Sequence, residues 1–368
     1  MSVLERILNG APGRFTVVAL AALLLVGAVL VNAFAPFVWV GIYTYFCVTL
    51  MLVLGLELFM GNSGILNWTY IGFVGIGAYS ASILSTDPSL KHMGVPNMYP
   101  ALVNLHLPVV PALLVGALVA AAVAAVIAWP LMRLSDAVGV ITLFATLIVI
   151  HVLMTQWDNV TNGPRTFFGV QQFTTIWIAT GAAILTLVGT HLFRESSLGL
   201  RLRASRDDRF AASAMGVSVV RVRYLTFILS SFVAGLGGGL WAHYITSFSP
   251  TSFYVGELFV LLTMLVVGGA GSISGAATGA IIITVLREGL RQVESYLNNS
   301  GVISFEVYGL TEVVMAMLLI AMLIWRPTGI VGGSEWRLPL RRKQAAAAPS
   351  PEPPAEPVLE TEAAEEAK

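Results

Sequence analysis

Nearly uncharged apolar runs of about 20 residues follow one another along most of this chain. That length lets an α-helix cross the roughly 30 Å hydrocarbon core of a bilayer. Lipid offers the backbone no hydrogen-bond partners, so such runs become helices; a membrane β-barrel would show alternation over about ten residues instead. Ten segments can be marked: 16–34, 37–60, 64–85, 107–129, 135–155, 173–193, 225–245, 256–269, 273–290 and 306–325. The eighth and ninth are short or interrupted by glycine. The sequence therefore reads as an all-α polytopic membrane protein with about ten transmembrane helices, some of them glycine-broken.

Composition narrows the function. Of 368 residues, 57% are hydrophobic and only 11% charged, against about 25% charged in a soluble domain. A soluble enzyme, a nucleic-acid binder and a disordered regulator are excluded, and the lipid bilayer is the solvent for most of the chain. The single cysteine, Cys47, lies inside an apolar run. It allows no disulfide framework and no Cys-based metal site, and it reads as core packing.

The net charge of zero hides a polarity. Residues 344–368 hold six glutamates and one lysine, leaving 19 basic and 14 acidic residues over 1–343. With the N-terminus in the cytoplasm and ten crossings, 16 of the 20 basic residues fall inside, seven of them between Arg194 and Arg223; Lys91, Arg165, Arg287 and Arg291 fall outside. The positive-inside rule then places both termini in the cytoplasm. The first segment resembles a signal peptide, with Arg6 and Arg14 ahead of it and Ala33-Phe34-Ala35 behind. It is longer than an h-region of about 7–15 residues, and Pro36 would follow the cleaved bond, so it reads as a retained helix. The domain plan is a cytoplasmic N-terminus over 1–15, a transmembrane domain over 16–336 and a disordered cytoplasmic tail over 337–368. The tail is rich in Ala, Pro and Glu and has little to pack.

The loop 194–224 is longer than a turn requires. Ser205 reads as an N-cap, and Asp208 three residues on completes a capping box. Asp207 and Asp208 suit the positive end of a helix, and Gly216 suits a left-handed C-terminal cap. Between them Phe210, Ala211, Ala214 and Met215 share one face, with Arg206, Arg209 and Ser213 elsewhere. Such a narrow apolar face fits a groove on a partner protein or the surface of an anionic bilayer.

At this loop the sequence resembles the membrane-spanning permease subunits of ABC importers for branched-chain amino acids, the larger of the two paired permeases. The likeness covers about residues 50–332. One block holds Gly61 and Gly64, then Phe73, Gly75, Ile76, Gly77, Ala78 and Tyr79. A second holds Gly199, Arg203, Ala204, Arg206, Asp207, Asp208, Ala211, Ala212, Ala214 and Gly216. A third runs from Phe227 to Gly279 through Ala234, Gly235, Ser249, Pro250, Gly268, Gly269, Gly271, Ser272 and Gly275; Arg326-Pro327-x-Gly329 follows. The chain departs from the family at Glu57, at Asn67-Trp68-Thr69-Tyr70 and at Thr161-Asn162-Gly163-Pro164.

The resemblance implies an inner-membrane permease that pairs with a second homologous permease. Two cytoplasmic ATPase subunits carrying Mg-ATP would bind below it, and an external periplasmic solute-binding protein would deliver the substrate. It implies that the short helix near Ser205–Gly216 is the coupling helix, with Ser205, Arg206, Asp207, Asp208, Phe210, Ala211, Ala214, Met215 and Gly216 at the ATPase contact. The sequence contains no G-x-x-x-x-G-K-[ST], so no catalytic residue, cofactor or metal is expected in this chain.

Met60–Ile65 and Val267–Ser272 resemble each other and occur once per half, the pattern of transporter repeats with broken helices near the midplane. Gly271, Gly275 and Gly279 equally suit close helix packing. The glycines expected at breaks and contacts are Gly61, Gly64, Gly75, Gly77, Gly268, Gly271, Gly275 and Gly279. Intramembrane polar residues mark a candidate pathway. Glu57 and Asn62 flank the first break, and Asn67, Trp68 and Tyr70 follow it. Glu257 reads as a solvated carboxylate at the outer interface, and His151 and His243 as satisfied core histidines. An ion-coupled transporter would want a carboxylate cluster at the midplane. A membrane enzyme would want paired His, Asp or Glu, and the spacing supplies neither.

Overall fold

A computed structural model describes residues 14–134, 136–299, 309–326 and 328–332. The N-terminal Arg6 and the tail from Arg337 onward lie outside the described residues. The chain forms α1 (Arg14–Phe34), α2 (Phe37–Ser63), α3 (Tyr70–Ser85), α4 (Pro88–Gly94), α5 (Pro100–Val103), α6 (Val109–Leu131), α7 (Asp136–Gln156) and α8 (Asp158–Thr161). It continues through α9 (Ile176–Glu195), α10 (Ser197–Asp207), α11 (Arg209–Ala214), α12 (Val219–Ile245), a 3-10 turn (Pro250–Phe253), α13 (Val255–Gly268), α14 (Ile273–Asn299) and α15 (Leu310–Trp325).

Among the described residues, eight stretches are long and apolar enough to span a bilayer: α1, α2, α6, α7, α9, α12, α14, and Pro250–Gly268, which joins the 3-10 turn to α13. The apolar helices α3 and α15 are shorter. Each of the ten expected segments is therefore helical over most of its described length; residues 306–308 of the tenth lie outside the described residues. Three details differ from the expectation. Residues 64–69 precede α3 without helix. The loop 194–224 holds two helices, not one. And α14 runs on to Asn299, past the expected end at 290, so Arg291 also sits on the helix. The polar content of residues 287–294 hid that continuation.

Glycine lets three helices meet at backbone distance. A Cβ on Gly77 of α3 would lie 2.2 Å from the Gly235 carbonyl oxygen of α12, and one on Gly116 of α6 would lie 2.9 Å from the Gly77 oxygen. Without a strong hydrophobic drive between helices in lipid, such contact is what holds them. A second close pair is α13 with α14, where a Cβ on Gly268 would meet the Gly275 oxygen at 1.9 Å and one on Gly279 the Met264 oxygen at 1.8 Å. Gly275 and Gly279 both stand at this contact. Gly271 instead lies in the turn with φ 110°.

At the end where α3 finishes and α6 starts, α4 and α5 cover the bundle. Phe167 and Phe248 pair there as an antiparallel bridge. His243 is buried and bonded on both nitrogens, to Ser85 Oγ at 2.8 Å and to the Gly239 carbonyl at 2.7 Å. His151 stacks on Tyr254, with ring centroids 4.1 Å apart.

Candidate functional site

The opposite end carries the loop region. Ser196 caps α10 by accepting from Gly199 N–H, and Leu202 and Ser205 bury against the bundle. Ser205 therefore does not cap the short helix: it sits in the last turns of α10, and its hydroxyl donates to Leu202 O at 2.7 Å. The cap is Asp208, whose Oδ1 accepts from Phe210 N–H at 2.8 Å and Ala211 N–H at 3.0 Å. The arginines and Gly199 gave α10 no clear apolar period, so the sequence showed one helix where there are two. At the other end Gly216, with φ 81°, donates to Ser213 O, and Val217 donates to Ala212 O. That is a complete Schellman closure.

Only Ala212 of α11 is buried. Ala211 and Ala214 are exposed, and Phe210 and Met215 stand 87% and 83% in solvent. Arg206 and Asp207 are exposed beside them. Arg206 Nη1 donates to the Gly61 carbonyl at the end of α2. A Cβ on Gly271 would lie 3.0 Å from the same nitrogen. Thus the two glycine-rich stretches that resemble each other meet at one guanidinium. A polar groove of about 720 Å³ opens here, lined by Ser63, Gly64, Arg206, Asp208, Phe210 and Arg223.

This placement corrects the midplane expectation. The first break comes at Gly64, with φ 73°, after a 27-residue helix. The second is the α13–α14 turn. Both lie at the α10–α11 end of the bundle. Gly61 itself is helical, and its missing Cβ makes room for the Glu57 carboxylate, whose Oε1 would be 2.8 Å away. Gly75 packs under Met154 and Phe253.

The other polar residues around the first break separate. Asn62 donates to Glu57 O and Leu58 O. Trp68 sits edge-on between Phe144 and Phe259, at 5.4 and 5.6 Å. Tyr70 is wholly buried, and its hydroxyl donates to Leu52 O at 2.8 Å. Asn67 is fully buried, and neither side-chain polar atom has a hydrogen-bond partner among the described residues. Among the described residues no group of three metal ligands occurs.

Two arrangements were missed by sequence reasoning. Residues 328–332 fold back on the α13–α14 turn: Ile330 and Val331 N–H donate to Val267 and Gly268 O, and Ser272 Oγ donates to Gly332 O. This explains the glycine at position 329, where a Cβ would lie 2.4 Å from Gly269 Cα. The second is an ion pair across α13 and α14, Glu257 Oε1 to Arg287 Nη2 at 2.8 Å, so Glu257 is not a lone solvated carboxylate. Opposite charges at comparable distances on either side of a tight glycine turn were the available signal.

Residues 38–323 match the family described as "Branched-chain amino acid transport system / permease component". The chain is similar to the high-affinity branched-chain amino acid transport system permease protein LivM of Salmonella typhimurium and to that of Escherichia coli K12. Each is 27% identical over 83% of this chain and 73% of the relative. It is also similar to a probable LivH permease of Methanocaldococcus jannaschii, 33% identical over 44% of this chain and 49% of that one. No solved structure matches. The matched region takes in α2 through nearly all of α15, the loop and both glycine breaks: the chain belongs to the family of permease components of branched-chain amino acid transport systems, as a multi-pass protein of the inner membrane.

Proposed function

We propose that this chain is the membrane-spanning permease subunit of an ATP-driven importer for branched-chain or similar hydrophobic amino acids. In this reading it pairs with a second, homologous permease. Two cytoplasmic ATPase subunits supply Mg-ATP hydrolysis, and an external solute-binding protein delivers the substrate. The observation that carries the reading is the pair α10–α11. A helix with Asp208 at one end and Gly216 at the other holds Phe210 and Met215 in water, where they suit a groove on an ATPase. Arg206, immediately before the cap, reaches the Gly61 carbonyl and packs against Gly271. A push on α11 is thereby passed to the ends of α2 and α13. The Glu57, Asn62, Asn67, Trp68 and Tyr70 region, next to the first break, forms part of the pathway wall.

A second reading keeps the architecture and changes the cargo to urea, short amides or aromatic carboxylates. It is favoured by Asn67, a neutral donor–acceptor pair buried with no partner among the described residues, at the stretch where the sequence departs from the family. The test is uptake of labelled isoleucine at low concentration in cells with and without this gene, in a strain lacking redundant importers. Uptake that disappears on deletion and returns with the gene supports the branched-chain reading. Unchanged uptake moves the cargo to the amides or aromatic acids.

A further inference from the structure

At the end of the bundle away from α10–α11, a cleft of about 680 Å³ opens between α2, α12, α13 and α14. Its walls hold a concentration of polarity unlike the rest of the apolar helices. Arg287 of α14 binds Glu257 of α13 through two contacts, Nη2 to Oε1 at 2.8 Å and Nη1 to Oε2 at 3.3 Å, and it also donates to Tyr45 Oη of α2 at 3.0 Å. Both charged side chains are about one-third exposed, 28% for Arg287 and 35% for Glu257. One turn before Arg287, Thr284 lines the same cleft. It is 91% buried, and its hydroxyl has no hydrogen-bond partner among the described residues. Trp241 and Tyr244 of α12 supply an aromatic wall opposite.

An ion pair that serves only to join two helices gains little over apolar packing of the same volume. Charges within membrane segments are costly and tend to mark pathways. This pair is also reachable from the cleft, which a purely structural pair does not need. The geometry points to a transient binding station for the zwitterionic head of an α-amino acid. Arg287, Tyr45 and Thr284 take the carboxylate, Glu257 takes the ammonium, and Trp241 and Tyr244 flank an apolar side chain. The resident pair is the head group's mirror image, one cation and one anion with no net charge. A bound zwitterion therefore replaces one ion pair by two, without bringing net charge into the membrane. When the cargo leaves, Arg287 and Glu257 close on each other, so neither is left unpaired. This inference rests on the amino-acid reading above and names the residues that would meet the cargo first.

The test is uptake of labelled leucine by cells expressing the whole importer, with membrane insertion measured alongside. Thr284→Val removes only a hydroxyl that bonds nothing among the described residues, so a structural account predicts no change. The binding station predicts a loss of uptake of about tenfold, the value of one hydrogen bond to a charged group. Exchanging the pair, Glu257→Arg with Arg287→Glu, preserves the ion pair but turns the station around; inserted protein should again transport poorly. Wild-type uptake by both variants overturns the station and leaves a structural ion pair. Absence of leucine uptake by wild-type cells overturns the amino-acid reading itself, and the station with it.

Discussion

Lys91 is almost completely buried, at 1% exposure, in the α4–α5 cover. Its ammonium donates to Leu102 O at 3.1 Å and Leu105 O at 2.6 Å. Burial pulls its pKa below the ordinary lysine value. It thus ties α4 to the chain leaving α5, while Asp87, with its Oδ1 accepting from Ser89 N–H, fixes the start of α4. Lys91→Met keeps the stem and removes the donors, stranding two carbonyls at a local cost of about 1–3 kcal/mol. The expected outcome is faster proteolytic nicking between residues 86 and 108 with the transmembrane helices intact, measured by limited proteolysis from the cover side. At this scale sequence reading was weakest. It placed Lys91 on the outer side but not in a buried site, because a buried lysine is recognised only by the carbonyls around it. Ser205 and Asp208 show the same limit. Both residue types cap helices equally well, and only the helix preceding Ser205 decides between them.

Elements were more legible. The apolar runs forecast the eight long helical stretches and the two shorter ones, α3 and α15, since length and hydropathy suffice where lipid forbids other backbone structure. What escaped were α10, anchored by the buried Leu202, and the polar end of α14, where no residue from 285 to 298 is buried and Glu288 instead accepts from Arg291 and Gln292 along the helix. At α11 the residues expected to share an apolar face, Phe210, Ala211, Ala214 and Met215, are left uncovered by the rest of the chain, and Ala212 is the residue that buries. Replacing Phe210 and Ala214 together by aspartate should leave the permease inserted. It should release the ATPase during detergent purification, as followed by co-purification on a tag placed on the permease. Undiminished co-purification would place the ATPase contact elsewhere.

For the whole molecule, the glycine contacts decide what fits. Gly77→Leu must push α3 off the Gly235 carbonyl, whereas Gly181→Ala meets nothing within 4 Å. The first should abolish folded protein in detergent size-exclusion profiles, and the second should leave the peak unchanged. The sequence showed these glycines but not which helices they join, because pairing between distant segments is not written in local periodicity. The candidate cleft was hidden for the same reason. Tyr45, Trp241, Glu257 and Arg287 come from four helices, and each alone looks ordinary.

The two glycine-knitted groups, α3–α6–α12 and α13–α14, have consequences for motion. Backbones in direct contact cannot slide without a gap opening, so each group moves as a rigid body. Arg206 spans the two glycine stretches at one extremity, and the Glu257–Arg287 cleft lies toward the other. Both groups line that cleft, α12 through Trp241 and Tyr244 and α13–α14 through Glu257 and Arg287, so a rocking of one group on the other changes the width of its mouth.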